Sequence, residues 1–245
     1  MLLRTFTSIE SVAAERFGAG DEAATVLTAR ELAPRRVRDH LRRAHAAMVR
    51  VAGPPGAGKT ELLAATLKAM NGRCRVAVIV ANPAAERDAE YLSGLCAHTI
   101  AIRTTVPDPL VIAKAVETID PATFDLLILE ACGSITQFPD VGEDVVVAVM
   151  GVSGGDDKAA EYFSLIGRSS LVLLTKTDLL PYIRFSSVVF HNDVRRLNPD
   201  AGVIELSIIN KHGMEVWIRW LQASCAAARQ DIESDCGCGS ELFVG

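Results

Sequence analysis

Seven short apolar runs recur along the chain, each followed by a stretch whose apolar residues fall at helical spacing or at a turn. The runs are MVRVAG at 48–53, RVAVIVA at 75–81, HTIAIR at 98–103, FDLLILE at 124–130, DVVVAVMGV at 144–152, SLVLLT at 170–175 and AGVIELS at 201–207. They are rich in Val, Ile and Leu and mostly continuous, the pattern of parallel strands buried on both faces. Helical candidates lie at 58–70, 84–93, 110–119, 159–167, 186–197 and 214–229. Strand and helix in alternation predict an α/β fold: a doubly wound, mostly parallel seven-stranded sheet with helices on both faces, joined by right-handed crossovers.

Two segments fall outside this alternation. Residues 1–47 are expected to form an N-terminal helical extension, with Arg30, Arg35, Arg36, Arg38, Arg42 and Arg43 around Pro34. A solvated helix face is one reading of these arginines, and docking to an acidic partner is the other. The main domain is expected over 48–229. Residues 230–245 are rich in Gly, Ser and acids and are expected to form a flexible tail.

Composition narrows the class. With 245 residues, 49% hydrophobic and 22% charged, the chain can bury a sizeable core, which excludes a disordered protein. The longest apolar runs fall well short of the roughly 20 residues that span a bilayer, and the first residues lack the pattern of a secretory signal. A cytoplasmic protein without a membrane partner is the expectation. A net charge of −5 carries no signature of nucleic-acid binding. Six cysteines are too sparse for a disulfide scaffold, so reduced thiols or metal ligands are the readings left open.

The sharpest chemical signal is Gly53-Pro54-Pro55-Gly56-Ala57-Gly58-Lys59-Thr60, which fits GxxxxGK[ST] between a predicted strand and a predicted helix. Backbone N–H groups of such a loop close around phosphate oxygens, Lys59 reaches the β- and γ-phosphates, and the Thr60 hydroxyl ligates Mg²⁺. FDLLILEACG places Glu130 at the end of a core strand, where an acid holds Mg²⁺ or its water, and Gly133 where backbone can approach a γ-phosphate. SLVLLTKTDLL puts Thr175, Lys176 and Asp178 just past another strand. An Asp there accepts from the N1–H and exocyclic amine of guanine, a donor pair that adenine lacks. Ser207 follows the last strand and is expected to offer a backbone N–H to guanine O6.

Taken together, LLILEACG, VAVMGVSGGDDKAAEYF, LVLLTKTDLLPYIRF, RRLNPDAGVIELS and HGMEVWIRWL resemble the nickel-insertion GTPases of hydrogenase and urease maturation. These form the HypB and UreG group of the SIMIBI class of P-loop GTPases. The likeness runs from about Val51 to Leu221 and is closer to the hydrogenase type. It implies a GTP-hydrolysing metallochaperone accessory protein that binds GTP and Mg²⁺, dimerises on nucleotide, and helps to load nickel into a metalloenzyme precursor, alone or with a co-chaperone.

The departures from the family pattern carry their own expectations. Asn82 in ANPAAERDAEYL stands where the family has a Mg²⁺-linked or catalytic acid, and Thr175 where its guanine motif has Asn. Both imply weaker GTP affinity or slow hydrolysis. The hydrogenase type also carries a Cys-His pair before the helix that here starts near Leu110, where this chain has Asp108 and Pro109, and its switch cysteine falls on Gln137. Candidate replacements as Ni²⁺ or Zn²⁺ ligands are Cys96 with His98, Cys132 beside Glu130, and Cys236 with Cys238. Core or turn roles are the competing reading for the first three. Two other functional readings stay open: a GTP-gated scaffold with little hydrolysis or metal binding, and a P-loop kinase or ATPase with a coincidental TKTD.

Overall fold

The computed structural model describes residues 6–9, 21–70, 72–133 and 138–237; side chains are described over 28–70, 72–133 and 138–230. The strands are β1 (Phe6–Ile9), β2 (Ala47–Gly53), β3 (Val76–Asn82), β4 (His98–Arg103), β5 (Leu126–Cys132), β6 (Val145–Gly151), β7 (Leu171–Thr175) and β8 (Gly202–Glu205). The helices are α1 (Asp21–Ala44), α2 (Lys59–Met70), α3 (Ala85–Ser93), α4 (Pro109–Glu117), α5 (Lys158–Glu161), α6 (Phe163–Ile166), α7 (Ser187–Leu197) and α8 (Met214–Gly237). All strands pair parallel in the order β1-β4-β3-β5-β2-β6-β7-β8. The seven predicted strands are all present, each within a few residues of its run. The eighth, β1, pairs with the outer edge of β4 inside the segment expected to be purely helical.

Because β2, β3 and β5 are covered on both faces, their residues are buried almost without interruption, which is what the unbroken apolar runs encode. Alternate side chains feed two cores. Met48 and Ala52 join the layer of α1, α4, α6 and α7, while Val49 and Val51 join that of α2, α3 and α8. Trp217, fully buried on α8, donates its indole N–H to Thr66 Oγ1 of α2 at 2.8 Å. This bond keys the closing GMEVWIRWL segment to the helix that follows the phosphate loop.

The arginine-rich segment is a continuous helix through Pro34, with Ala33, Val37 and Leu41 at four-residue spacing and 0 to 1% exposed. Its cations find acids of the same chain. Arg30 pairs with Asp108 at 2.6 Å, Arg36 with Glu117 at 2.6 Å and Arg38 with Asp140 at 2.8 Å. At the other end of the chain α8 continues to Gly237, so the expectation of a flexible segment from 230 fails over those residues. Cys238 and Gln137 lie outside the described residues, and Cys236 is described only as helical backbone.

Candidate nucleotide site

The carboxyl ends of four parallel strands, β2, β3, β5 and β7, meet in a cleft of about 840 Å³. In an open α/β sheet this edge, where the connections diverge, is where ligands bind. The cleft forms around the turn between β2 and α2. Gly56 and Gly58 there have φ of +77° and +84°, conformations that L side chains rarely adopt, so the loop can turn its N–H groups inward only with glycine at both places. Gly133 donates its N–H to Gly53 O at 2.8 Å, and a Cβ on Gly133 would lie 3.1 Å from the Gly53 backbone. Gly133, the residue that follows β5, is thereby held directly against the start of the loop.

Lys59 opens α2 and is 6% exposed. Its ammonium donates to Gly53 O and Pro54 O, both at 2.9 Å, and burial pulls its pKa below the usual lysine value despite the nearby Glu130 carboxylate. Thr60 Oγ1 donates to Glu130 Oε1 at 2.7 Å. Glu130 is 1% exposed, its Oε2 has no partner, and burial raises its pKa to about 7 even with Thr60 and Lys59 favouring the ionised form. A hydroxyl and an orphaned carboxylate oxygen, converging beside a phosphate-type loop, fit Mg²⁺, a hard cation that takes oxygen donors. Cys132 ends β5 in the same cleft, and burial raises the pKa of its thiol above the usual cysteine value.

Asn82, at the end of β3, is 5% exposed. It donates from Nδ2 to Asp88 Oδ2 at 3.0 Å and accepts from the Ala84 N–H at 2.7 Å. Asp88, which no sequence motif singles out, also lines the cleft. The available signal was its place one turn into α3, which turns the carboxylate back toward the end of β3. The acid absent at position 82 is therefore present on its hydrogen-bond partner.

On the far side of the loop, Thr175 Oγ1 donates to Ala57 O at 2.6 Å, with Met150 O at 3.1 Å, and is 1% exposed. Lys176 takes a left-handed φ of 63° and reaches Gly56 O at 2.7 Å. Asp178 Oδ1 accepts from Ser207 Oγ at 2.6 Å. The Ser207 N–H, expected to serve guanine O6, instead donates to His212 O at 3.0 Å. Ser207 thus orients Asp178 through its hydroxyl.

The expected metal ligands do not gather here. Cys96 and His98 lie at the amino end of β4, the opposite edge of a sheet whose cleft is at the carboxyl ends. The Cys96 thiol is buried against Leu92 O, His98 O and Thr99 Oγ1, the surroundings of a structural cysteine. Asp108 caps α4 by accepting from the Leu110 N–H at 2.9 Å, with Pro109 in the first turn. Among the described residues no group of three His, Cys, Asp or Glu side chains is placed to hold a metal.

Sheet order, loop and converging Lys59, Thr60 and Glu130 define a P-loop nucleotide-binding domain. The sequence profile described as CobW/HypB/UreG, nucleotide-binding domain, matches residues 47–205, and the chain belongs to that family. It is 31% identical over 202 residues to the hydrogenase maturation factor HypB of Rhizobium leguminosarum bv. viciae, covering 80% of this chain and 67% of the relative. It is 32% identical over 179 residues to HypB of Escherichia coli strain K12, covering 71% and 61%. The urease accessory protein UreG 1 of Streptomyces griseus is 28% identical over 194 residues, covering 71% and 81%. The chain thus spans about two thirds or less of the length of these hydrogenase relatives. The fold is shared with the crystal structure of HypB from Archaeoglobus fulgidus, with a TM-score of 0.71 at 22% identity, covering 80% of this chain and 98% of that one. HypB from Helicobacter pylori, crystallised in complex with nickel, has a TM-score of 0.73 at 19% identity, covering 83% and 96%. No helix among the described residues is long and apolar enough to cross a membrane.

Proposed function

We propose that this chain is a GTP-binding, GTP-hydrolysing accessory protein in the maturation of a metalloenzyme, with a hydrogenase precursor as the first candidate client. The observation that carries the nucleotide part is the shared cleft of Lys59, Thr60 and Glu130, with Asp178 fixed by Ser207 beyond the same loop. The client is proposed from the maturation factors that the chain is similar to.

In this reading the loop N–H groups and Lys59 take the phosphates, and Asp178 pairs with the N1–H and exocyclic amine of guanine. Thr60 and Glu130 hold Mg²⁺, which when bound neutralises charge on the β- and γ-phosphate oxygens. Glu130, which burial favours in its protonated form, would have to give up that proton to serve as a ligand to the cation. Asn82 and Asp88 act as a pair: the amide orients the carboxylate, and the carboxylate orients the attacking water. Gly133, bonded to Gly53, carries the state of the phosphate site into the turn after β5, and a nucleotide-dependent homodimer is the output that we propose for it.

A second reading is favoured by a specific observation. Asn82 fills the acid position, while Asp108 and Pro109 occupy a helix cap where the hydrogenase type has Cys and His. These features support a GTP-gated scaffold that hydrolyses little and carries no metal. Turnover and metal titration on one preparation separate the two: steady GTP hydrolysis with stoichiometric nickel or zinc binding supports the metallochaperone, and GTP binding without either supports the scaffold.

A further inference from the structure

We infer that this site leaves guanine N7 unread while Asp178 reads the N1–H and 2-amino edge, and that Thr175 is the residue responsible. The inference rests on the GTP reading above and concerns its specificity. Guanine offers two kinds of polar edge: donors at N1 and the 2-amino group, which a carboxylate accepts, and acceptors at O6 and N7, which need protein donors. Asp178 supplies the carboxylate. The side-chain donors of Thr175, Lys176 and Ser207, and the Ser207 N–H, are spent inside the protein. The single Thr175 proton goes to Ala57 O at 2.6 Å, the Ser207 hydroxyl goes to Asp178, and the Ser207 N–H goes to His212 O. Lys176 carries its ammonium away to Gly56 O on the phosphate loop.

Thr175 is 1% exposed and sits between Gly151 and Gly58, 3.6 and 4.0 Å from where their Cβ atoms would lie. Turning its hydroxyl toward the base would strip Ala57 O, in a loop that must stay shaped for phosphate, of its partner. An unpaired buried acceptor costs more than one neutral hydrogen bond to a ligand returns, so the Thr175 hydroxyl stays directed at Ala57 O. An amide at this position has two N–H groups and can serve both acceptors; a single hydroxyl cannot. Thr175 therefore ties the base motif to the phosphate loop and is silent toward N7.

The test compares GTP with 7-deaza-GTP, which has C–H in place of N7, by competition binding to the full chain with Mg²⁺. The expected ratio of dissociation constants is within about twofold for the wild type and for Thr175→Ser, the scale of an absent hydrogen bond. Thr175→Asn, if folded by circular dichroism, should prefer GTP by about fivefold or more. A wild-type preference for GTP of that size would overturn the inference while leaving the GTP reading intact, and an unchanged ratio in folded Thr175→Asn would overturn the assignment to Thr175. Failure of the wild type to bind any guanine nucleotide would overturn the GTP reading and this inference with it.

Discussion

The Thr60 hydroxyl donates to Glu130 Oε1 at 2.7 Å across 70 residues of sequence, and Glu130 Oε2 is left buried without a partner. The pair joins the first residues of α2 to the end of β5 at the point where we propose that a triphosphate-bound cation sits. Thr60→Ala and Glu130→Gln should each lower GTP affinity about tenfold or more in Mg²⁺ and remove most of the difference between Mg²⁺ and chelator. Calorimetric titration under both conditions checks this. A variant that kept the wild-type Mg²⁺ dependence would dissociate the pair from cation binding.

Glu130 also predicts a pH dependence of stability. Its native pKa of about 7 exceeds the ordinary 4.5, so the folded chain holds a proton that the unfolded chain has released. Its contribution is therefore most favourable below about pH 4.5 and is lost as pH rises through about 7, a change on the order of 3 kcal/mol. Glu130→Gln removes this dependence. Urea melts of nucleotide-free wild type and variant at pH 5 and 8 should show a larger difference between the two proteins at pH 8, in favour of the variant. Equal differences at both pH values would contradict it.

Asn82 donates to Asp88 at 3.0 Å, which makes the two an acid carried on an amide. Asp88→Asn should lower the GTP turnover number about tenfold or more with affinity changed less than about threefold, the pattern of a group that acts at the reacting water. Asn82→Asp places two carboxylates in contact, so one must hold a proton and the pH profile of turnover should shift upward. Single-turnover assays across pH read both outcomes. If Asp88→Asn turned over GTP at the wild-type rate, the pair would have no part in hydrolysis.

The arginines of α1 face acids of their own domain, yet these pairs are 29 to 49% exposed. Surface pairs of this kind contribute about 0 to 1 kcal/mol, whereas a buried leucine is worth about 2 to 5 kcal/mol. Arg36→Ala should therefore leave the denaturation midpoint nearly unchanged, while Leu41→Ala should lower it clearly. The reverse order would mean that charge, and not the apolar stripe of Ala33, Val37 and Leu41, docks the helix.

The legible parts of the chain were those where one strong local rule acted. Double-sided burial left continuous apolar runs for the inner strands β2 to β7, with a shorter run at the half-buried edge strand β8, and phosphate geometry left glycines at 56 and 58 before Lys59 and Thr60. The illegible parts depended on what lies across space. FTSI at β1 is too short for periodicity to register, and its pairing with β4 is a tertiary fact. The Cys96-Ala97-His98 spacing looks like a ligand pair until the sheet puts it at the edge opposite the cleft. Asp88 reads as one more surface acid until α3 folds back along β3. Ser207 lies beside the base motif, but the turn to His212 claims its N–H and Asp178 takes its hydroxyl.

The most direct test of the central claim is nucleotide selectivity, measured by calorimetry with GTP, ATP and XTP in Mg²⁺ on the wild type and on Asp178→Asn. The account predicts that the wild type binds GTP about a hundredfold or more tighter than ATP, and that the variant exchanges this preference for XTP, whose 2-oxo group accepts from the new amide. Equal or tighter binding of ATP by the wild type, or an unchanged order in Asp178→Asn, would contradict it.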